Sequence, residues 1–385
     1  MTDVTLSEAA KPARRRGMWV LAEGSRRILD DPARIGPLLD DAAALGVSDL
    51  FVQVYRGGRA WFDSGLADAT PYRDSKAASG MDSLSLLLSR AHDADLRVHA
   101  WVNALSLASN KSAPIVLALG REAVTLDRHG RSVLDYPKLD VPPPDRTYYR
   151  MGTPAVWLDP GAPGVSEYIS RTFGELMLKY PALDGLHLDY IRYPDVLPFV
   201  PGSRFGVGLD FGYGELTRRR FREETGLEAP FGDSLRNANR WDNWRRDQVT
   251  RLVGQIRSAM IRSAPNAALS AAVWTYADRA YLAMGQDWRG WLASDLLDFA
   301  VPMAYTLDDD LLRHQAQTFA GLPTHDRIWI GLGSWLFRER PERALEQLQI
   351  VESAGTAAEV LFSYDAIADA PELRRRLIEV RADGL

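Results

Sequence analysis

Short apolar runs alternate along this chain with longer stretches whose apolar positions return every three or four residues. This is the pattern of buried strands interleaved with amphipathic helices. GMWVLAEG (17–24) precedes DDPARIGPLLDDAAALG, where Asp30 or Asp31 can serve as N-cap, Pro32 opens the helix and Gly46 closes it. The strand signal returns in LFVQVYRGG (50–58), RVHAWVNAL (97–105), GLHLDYIRY (185–193), AALSAAVWT (267–275), LDFAVPMAY (297–305), RIWIGLGSW (327–335) and AEVLFSYDA (358–366). WRRDQVTRLVGQIRSAMIRSA and PERALEQLQIVESAG are amphipathic segments between them. Eight such units predict an α/β protein of the (β/α)8 TIM-barrel type. The doubly wound open sheet is the other way to arrange them, but no G-x-G-x-x-G follows the first strand. Pro302 falls inside the sixth strand, where a missing amide hydrogen weakens the ladder.

The connections are unequal. Helix-to-strand joints such as ALGVSDL and DADLRV are short, whereas strand-to-helix joints are long, at 106–163, 194–214 and from 306 onward. In a TIM barrel the long set gathers at the C-terminal mouth, where active sites are built. The expected organisation is a flexible tail over 1–16 and one barrel domain over 17–385, with 106–163 as an insertion walling the cleft. That insertion carries a hairpin signal with His129-Gly130 at its tip and a rigid PPP at 142–144.

Composition narrows the classes. With 385 residues, 46% hydrophobic and 25% charged, the chain is globular rather than disordered. A formal charge of −5 offers no field to collect nucleic acid, and the runs Arg14–Arg16, Arg218–Arg220 and Arg374–Arg376 read as solvated helix faces and a tail. Without cysteine there is no disulfide, thiolate nucleophile or cysteine metal ligand. No run approaches the roughly 18 apolar residues of a membrane span. MTDVTLSEAAKPARRRG lacks the apolar core of a signal peptide, so the chain as given is expected in the cytoplasm, and outside it if a leader had been removed. Eleven Trp, fourteen Tyr and twelve Phe supply rings of the kind that stack on the apolar faces of sugars, and rings also fill cores.

The strand exits are unusually polar. Alternation places His187 and Asp189 on one face of the fourth strand, His99, Trp101 and Asn103 on one face of the third, Gln53 and Tyr55 of the second, and Trp19, Leu21 and Glu23 of the first. Buried polar groups cost free energy unless paired, so their convergence suggests chemistry. Carboxylates expected near the mouth are Glu23, Asp63, Asp189, Asp278, Asp308 to Asp310 and Asp365. Two such groups, one protonated and one ionised, are what glycoside hydrolysis uses. Asp189 is the leading candidate, as nucleophile or base, with Glu23, Asp278 or Asp308 as the proton donor. Trp101, Trp274, Tyr305 and Trp335 are candidate sugar platforms. Arg56 follows the second strand, and Arg192 is placed to hold either Asp189 or a substrate oxygen, a structural ion pair being equally open. Asp159, in WLDPGAPGVSEYI, reads as a loop and helix-cap residue.

These segments resemble the bacterial glycosyl hydrolase-like family 10. The resemblance runs through RRGMWV, FVQV with RGGRAWFDS, RVHAWVNAL, WLDPGAPGVSEYI, DGLHLDYIRYP, DWRGWLASDLLDFAVPMAY and VLFSYDA, from residue 15 to about 367. It implies a TIM barrel that cleaves bacterial cell-envelope or related polysaccharides, such as glycan strands of peptidoglycan freed of peptides. It also implies that Asp189 is the family's strand-four aspartate and that Gln53, Asn103 and Tyr305 are cleft positions. It further implies an exported or lipid-anchored protein, an expectation at odds with the cytoplasmic one drawn from the sequence as given. DGLHLDYI is also similar to the DGxDxDxE strand of chitinase-type barrels, but Ile191 stands where the acid would be and His187 replaces the middle aspartate, so that mechanism does not transfer.

These residues support three readings. The first is a glycosidase requiring no cofactor, with an oligo- or polysaccharide as partner. The second is a carbohydrate-binding barrel with little turnover. The third is a metal-dependent hydrolase using His99, His187 and Asp189 as an acceptable zinc set. Phosphate binding at GLGSW (331–335) is a weaker fourth, because glycines at a strand exit also simply make room.

Overall fold

A computed structural model describes residues 14–128, 130–135, 150–151, 155–197, 211–229 and 235–382. The expected hairpin tip at His129, the triproline at 142–144 and residues 1–13 of the expected tail lie outside them.

The predicted strands are present, each ending earlier than its apolar run. They are β1 (Arg15–Val20), β2 (Asp49–Arg56), β3 (Arg97–Asn103), β4 (Gly185–Asp189), β5 (Ala268–Val273), β6 (Phe299–Pro302), β7 (Trp329–Gly333) and β8 (Ala358–Phe362). Each leads, directly or through shorter segments, to a helix packed outside. These are α1 (Ile35–Leu45), α2 (Ser83–Asp93), α3 (Val165–Lys179), α4 (Leu235–Ser263), α5 (Trp288–Ala293), α6 (Asp309–Ala320), α7 (Pro341–Ser353) and α8 (Pro371–Ala382). Parallel pairing runs β7-β8-β1-β2-β3-β4-β5-β6. Two isolated parallel bridges, Ala300 to Ile328 and Met303 to Gly331, join β6 to β7 and complete a TIM barrel. Pro302 itself pairs with Val273 of β5, where the amide of the next residue, Met303, donates to the Val273 carbonyl at 2.9 Å. Among the described residues no helix is long and apolar enough to cross a membrane.

Local signals behave as their chemistry demands. Asp31 accepts from the amide of Ala33 and caps a short 3-10 turn into α1, and Gly46 ends α1 at φ 68°, a conformation that costs glycine little. The basic run at 14–16 is not a solvated tail. Glu359 takes Nε of both Arg14 (2.7 Å) and Arg16 (2.8 Å), and β1 already begins at Arg15.

The barrel interior obeys the two-residue period. Trp19, Phe51, Trp101, Phe299, Val301, Trp329 and Val360 form its apolar filling. Between them stand polar groups that find partners inside the ring. Trp19 Nε1 donates to His187 Nε2 at 3.1 Å, and His187 Nδ1 lies 2.8 Å from Ser270 Oγ. A donor on Nε2 requires a neutral imidazole carrying its proton on Nδ1. Burial, with a smaller contribution from His99, pushes the His187 pKa well below its usual value, in agreement. His99 stacks on Phe51 and bonds Asp49 Oδ1 at 3.0 Å. It fits because β4 has Gly185 opposite, where a Cβ would come within 2.2 Å of His99 Nδ1.

Tyr55 departs from the expected face. Register shifts between Gln53 and Tyr55, so Tyr55 pairs with outward-facing Val102 and packs edge-on against Phe173 of α3 at 5.3 Å. A β-bulge inserts one residue and reverses the parity of the positions after it. Tyr55 therefore belongs to the helix layer and does not face the cleft.

At the N-terminal end of the barrel, Asp49 is fully buried. Burial alone would raise its pKa, but hydrogen bonds from His99, Arg97 and Arg15 outweigh it and hold the carboxyl well below the usual range. Replacing Asp49 by Asn strands this cationic cluster. Because both guanidiniums remain partly in water, the expected loss is about 1–3 kcal/mol of unfolding free energy in a urea titration near pH 7, and an unchanged midpoint would refute the arrangement.

Candidate active site

The last inward side chains of β2, β3 and β4 are Gln53, Asn103 and Asp189, and above them the ring opens into a cleft of about 560 Å3. Gln53, Asn103, Asp189, Arg56, Trp101, Arg192, Trp274, Tyr305 and Glu23 line it together, so nine of the expected site residues do converge. Leu21, expected on the inward face of the first strand, joins them, and Tyr190, Thr275, Tyr276, Met303 and Phe362, which were not anticipated, complete the wall.

Asp189 is held from two sides. Trp101 Nε1 donates to Oδ2 at 3.1 Å, and the amide of Tyr190 donates to Oδ1 at 2.7 Å. Burial pushes its pKa from 3.8 up to about 6, against the opposing pull of the Tyr190 amide, Arg192 and Trp101. Desolvation wins because the carboxylate sits among rings. Tyr305 beside it is likewise raised, first by burial and then by the charge of Asp189.

Alternation along the fourth strand puts Tyr190 with Leu186 and Leu188 on the side opposite Asp189, toward the helices, but the strand does not reach it. The strand stops at Asp189, and Tyr190 takes φ 52°, a left-handed backbone costing a non-glycine residue roughly 1–2 kcal/mol. That turn brings Tyr190 to the cleft instead of the helix layer, with its ring edge-on to Trp157 at 5.5 Å. Such outliers cluster at functional sites. The available signal was its position directly after Asp189 in a strand exit rich in polar groups.

Arg192 settles between its two expected roles. It is buried, donates from Nη1 to Asp195 Oδ1 at 3.1 Å, and lies 5.0 Å from the Trp157 ring and 5.8 Å from the Trp274 ring. It is a structural ion pair whose charge still reaches Asp189. The amide of Gln53 donates to Asn103 Oδ1 at 3.2 Å while its oxygen accepts from the Ala22 amide at 3.3 Å, which orients both amides at the cleft floor.

Glu23, carried on the β1 exit, forms ion pairs with Arg56 (2.9 Å) and Arg59. The loop behind it is laid on Asp365, which is buried and accepts from the Arg26 amide at 2.8 Å. Asp365 thus lies beneath the β1 loop, outside the cleft lining. Trp335 is 38% exposed at the rim, edge-on to Tyr305 at 4.8 Å and to Phe362 at 5.4 Å. The second glycine of GLGSW makes room for it, since a Cβ at Gly333 would meet the Trp335 ring at 2.7 Å.

Other expected positions lie elsewhere. Asp278 stands on the helix Ala277–Met284 in a neighbouring depression. Asp308 is the N-cap of α6, accepting from the amides of Asp310 and Leu311. Asp63 is a surface partner of Lys179. Asp159 is a buried loop anchor for Gly161, Tyr193 and Thr217, as its loop context suggested, but it does not cap α3, whose N-cap is Gly164 with no side-chain bond. His99 and His187 are spent inside the barrel. His99 lies level with Gly185, four residues or roughly 13 Å of strand below Asp189. These two histidines and Asp189 therefore do not converge as a ligand set, and no group of three or more His, Cys, Asp or Glu is placed to hold a metal among the described residues.

Comparison with known proteins agrees with this architecture. The model of a family described as Glycosyl hydrolase-like 10 matches residues 14–320. The chain is 25% identical over 317 residues to "Glycosyl hydrolase DigH" of Escherichia coli (strain K12), covering 76% of this chain and 64% of that protein. It is 22% identical over 285 residues to "Glycosyl hydrolase YngK" of Bacillus subtilis (strain 168), covering 70% and 48%. Thus it spans less than two thirds of the length of either relative. In fold it is similar to the PgaB (BpsB) glycoside hydrolase domain from Bordetella bronchiseptica, with a TM-score of 0.65, 17% identity and coverage of 96% and 99%. It is also similar to alpha-L-fucosidase isoenzyme 2 from Paenibacillus thiaminolyticus, with a TM-score of 0.61, 14% identity and coverage of 96% and 49%.

The raised pKa of Asp189 has a thermodynamic consequence. Between about pH 4 and pH 6 the folded chain keeps a proton that the unfolded chain releases, so this group's contribution to stability is lost as pH rises through about 6. Asp189→Asn should therefore gain on the parent protein by on the order of 1–3 kcal/mol between pH 4 and pH 7. Denaturant titrations at both pH values test this, and an equal difference at the two would show that Asp189 titrates normally.

Proposed function

Since the chain belongs to the Glycosyl hydrolase-like 10 family, we propose that it hydrolyses O-glycosidic bonds in a bacterial cell-envelope polysaccharide, an amino-sugar glycan such as peptide-free peptidoglycan strands being the leading substrate. The observation that carries this reading is a carboxyl with a pKa of about 6 at the floor of an aromatic cleft. Such a group is still partly protonated near neutrality and is suited to give its proton to a departing glycosidic oxygen. Asp189 is therefore the general acid here, the reverse of the nucleophile or base role its strand position alone suggested.

The second carboxylate in the cleft lining is Glu23, and its charge is balanced by Arg56 and Arg59. In the proposed reaction Asp189 protonates the leaving oxygen as the C–O bond breaks, and the Glu23 carboxylate acts on the anomeric carbon directly or through a water. Gln53 and Asn103 supply amides for sugar hydroxyls, while Trp274, Tyr305 and Trp335 supply rings. The double ion pair on Glu23 is also what favours the rival reading of a saccharide-binding barrel with little turnover, because a carboxylate shared by two guanidiniums is a weaker nucleophile or base.

The release of reducing ends from peptide-free peptidoglycan strands decides between the two. We expect Asp189→Asn to lower kcat/KM about 10²- to 10⁴-fold, the usual worth of a positioned acid, and Glu23→Gln to fall in the same range. The activity of the unmodified protein should decline as pH rises through about 6. Saturable glycan binding without new reducing ends leaves the binding barrel as the correct reading, and full activity in Asp189→Asn removes that residue from the mechanism.

A further inference from the structure

A second depression of about 700 Å3 opens beside the cleft, between the helix Ala277–Met284 and α6, with Asp278, Arg279, Arg289, Leu311, His314 and Gln315 in its wall. Thr275 and Tyr276 line both spaces, so the two meet across the loop that leaves β5. Each volume is in the range of ligand-holding clefts.

Three observations point to a ligand. Tyr276, at the saddle, is 51% exposed, leaving an aromatic surface uncovered where the two spaces join. Thr275 and Gln315 are only 7% and 8% exposed, yet Thr275 Oγ1 and Gln315 Oε1 have no hydrogen-bond partner among the described residues. An unpaired buried polar atom is costly, and turning either oxygen toward the groove breaks no hydrogen bond of its own. Finally, Asp278, Arg289 and His314 stand exposed around the same hollow, offering acceptors and donors at several heights. A ring, two unsatisfied oxygens and a rim of polar side chains form the set that recognises a polyhydroxylated ring: apolar C–H faces stack on tyrosine while hydroxyls pair with the oxygens and guanidinium.

We infer that this groove is a second saccharide subsite, which takes further sugar units of the same glycan chain after it passes over Thr275 and Tyr276. The identity of the ligand rests on the glycosidase reading. The substrate is then an oligosaccharide longer than the cleft alone accommodates, and Asp278 contacts the chain at a distance from the bond being cleaved.

The test uses the whole chain, with N-acetylglucosamine oligomers from dimer to octamer and peptide-free peptidoglycan strands cut to the same lengths. In the parent protein kcat/KM should rise at least about tenfold from the shortest to the longest substrate. Leu311→Trp, which fills the hollow from α6, should bring that ratio close to unity, and Gln315→Leu should cut it roughly three- to tenfold, the worth of a lost hydrogen bond. Gln315→Leu should also raise the thermal midpoint, because it removes an unpaired buried oxygen, and this combination is one that damage to the fold does not produce. A length dependence that survives both substitutions overturns the subsite. Calorimetry on Asp189→Asn separates the two ideas: long oligomers that bind, and bind more weakly after Leu311→Trp, keep the subsite even where nothing is cleaved. If no oligomer of either series binds, the subsite falls.

Discussion

Closing eight parallel strands into a ring leaves an interior only as wide as the side chains that fill it, and a polar group entering that space must find its partner within the ring. This constraint sorts the inward-facing residues by height. Low in the barrel, His99 is absorbed by Asp49 and Phe51. Midway, His187 is absorbed by Trp19 and Ser270. At the top the ring ends, and the pairing is incomplete: Asp189 has Trp101 and a backbone amide on one side and the cleft on the other. Residues of similar chemistry thus become filler or site according to how many neighbours the barrel places around them.

The electrostatics arise from the same geometry. Asp49 is fully buried and Asp189 partly so, yet they shift in opposite directions. Asp49 meets two guanidiniums and an imidazole, and their hydrogen bonds outweigh desolvation. Asp189 is met by an indole, an amide and only the more distant charge of Arg192, so desolvation prevails. Glu23 has the opposite setting, close to water and between Arg56 and Arg59. Two carboxylates thus face one cleft in unlike surroundings.

The strand-exit loops then shape what the barrel only points at. Tyr190, turned by its left-handed backbone, closes the floor toward Trp157, and Trp335 occupies space left by Gly333 at the opposite rim. The β5 exit bridges the cleft to the hollow beside α6 through Thr275 and Tyr276. Rings thus stand on both sides of the mouth.

The periodicity of the chain by itself determined the eight alternating units, the barrel and the mouth on which long connections gather, because two-residue and 3.6-residue patterns are local properties of the chain. It also determined that Gln53, Asn103 and Asp189 end on one inward face, since parity holds along an unbroken strand. Only the tertiary structure decided where parity failed: the bulge that sent Tyr55 to the helix layer and the turn that brought Tyr190 to the cleft. It likewise decided which of the other acids shares the cleft with Asp189. Glu23, Asp278, Asp308 and Asp365 all come after barrel strands, and nothing local separates them. One pairs with arginines in the cleft, one stands in the neighbouring hollow, one caps a helix and one anchors a loop. The physical reason is that a carboxylate's role is set by the groups surrounding it in space, and those arrive from distant parts of the chain.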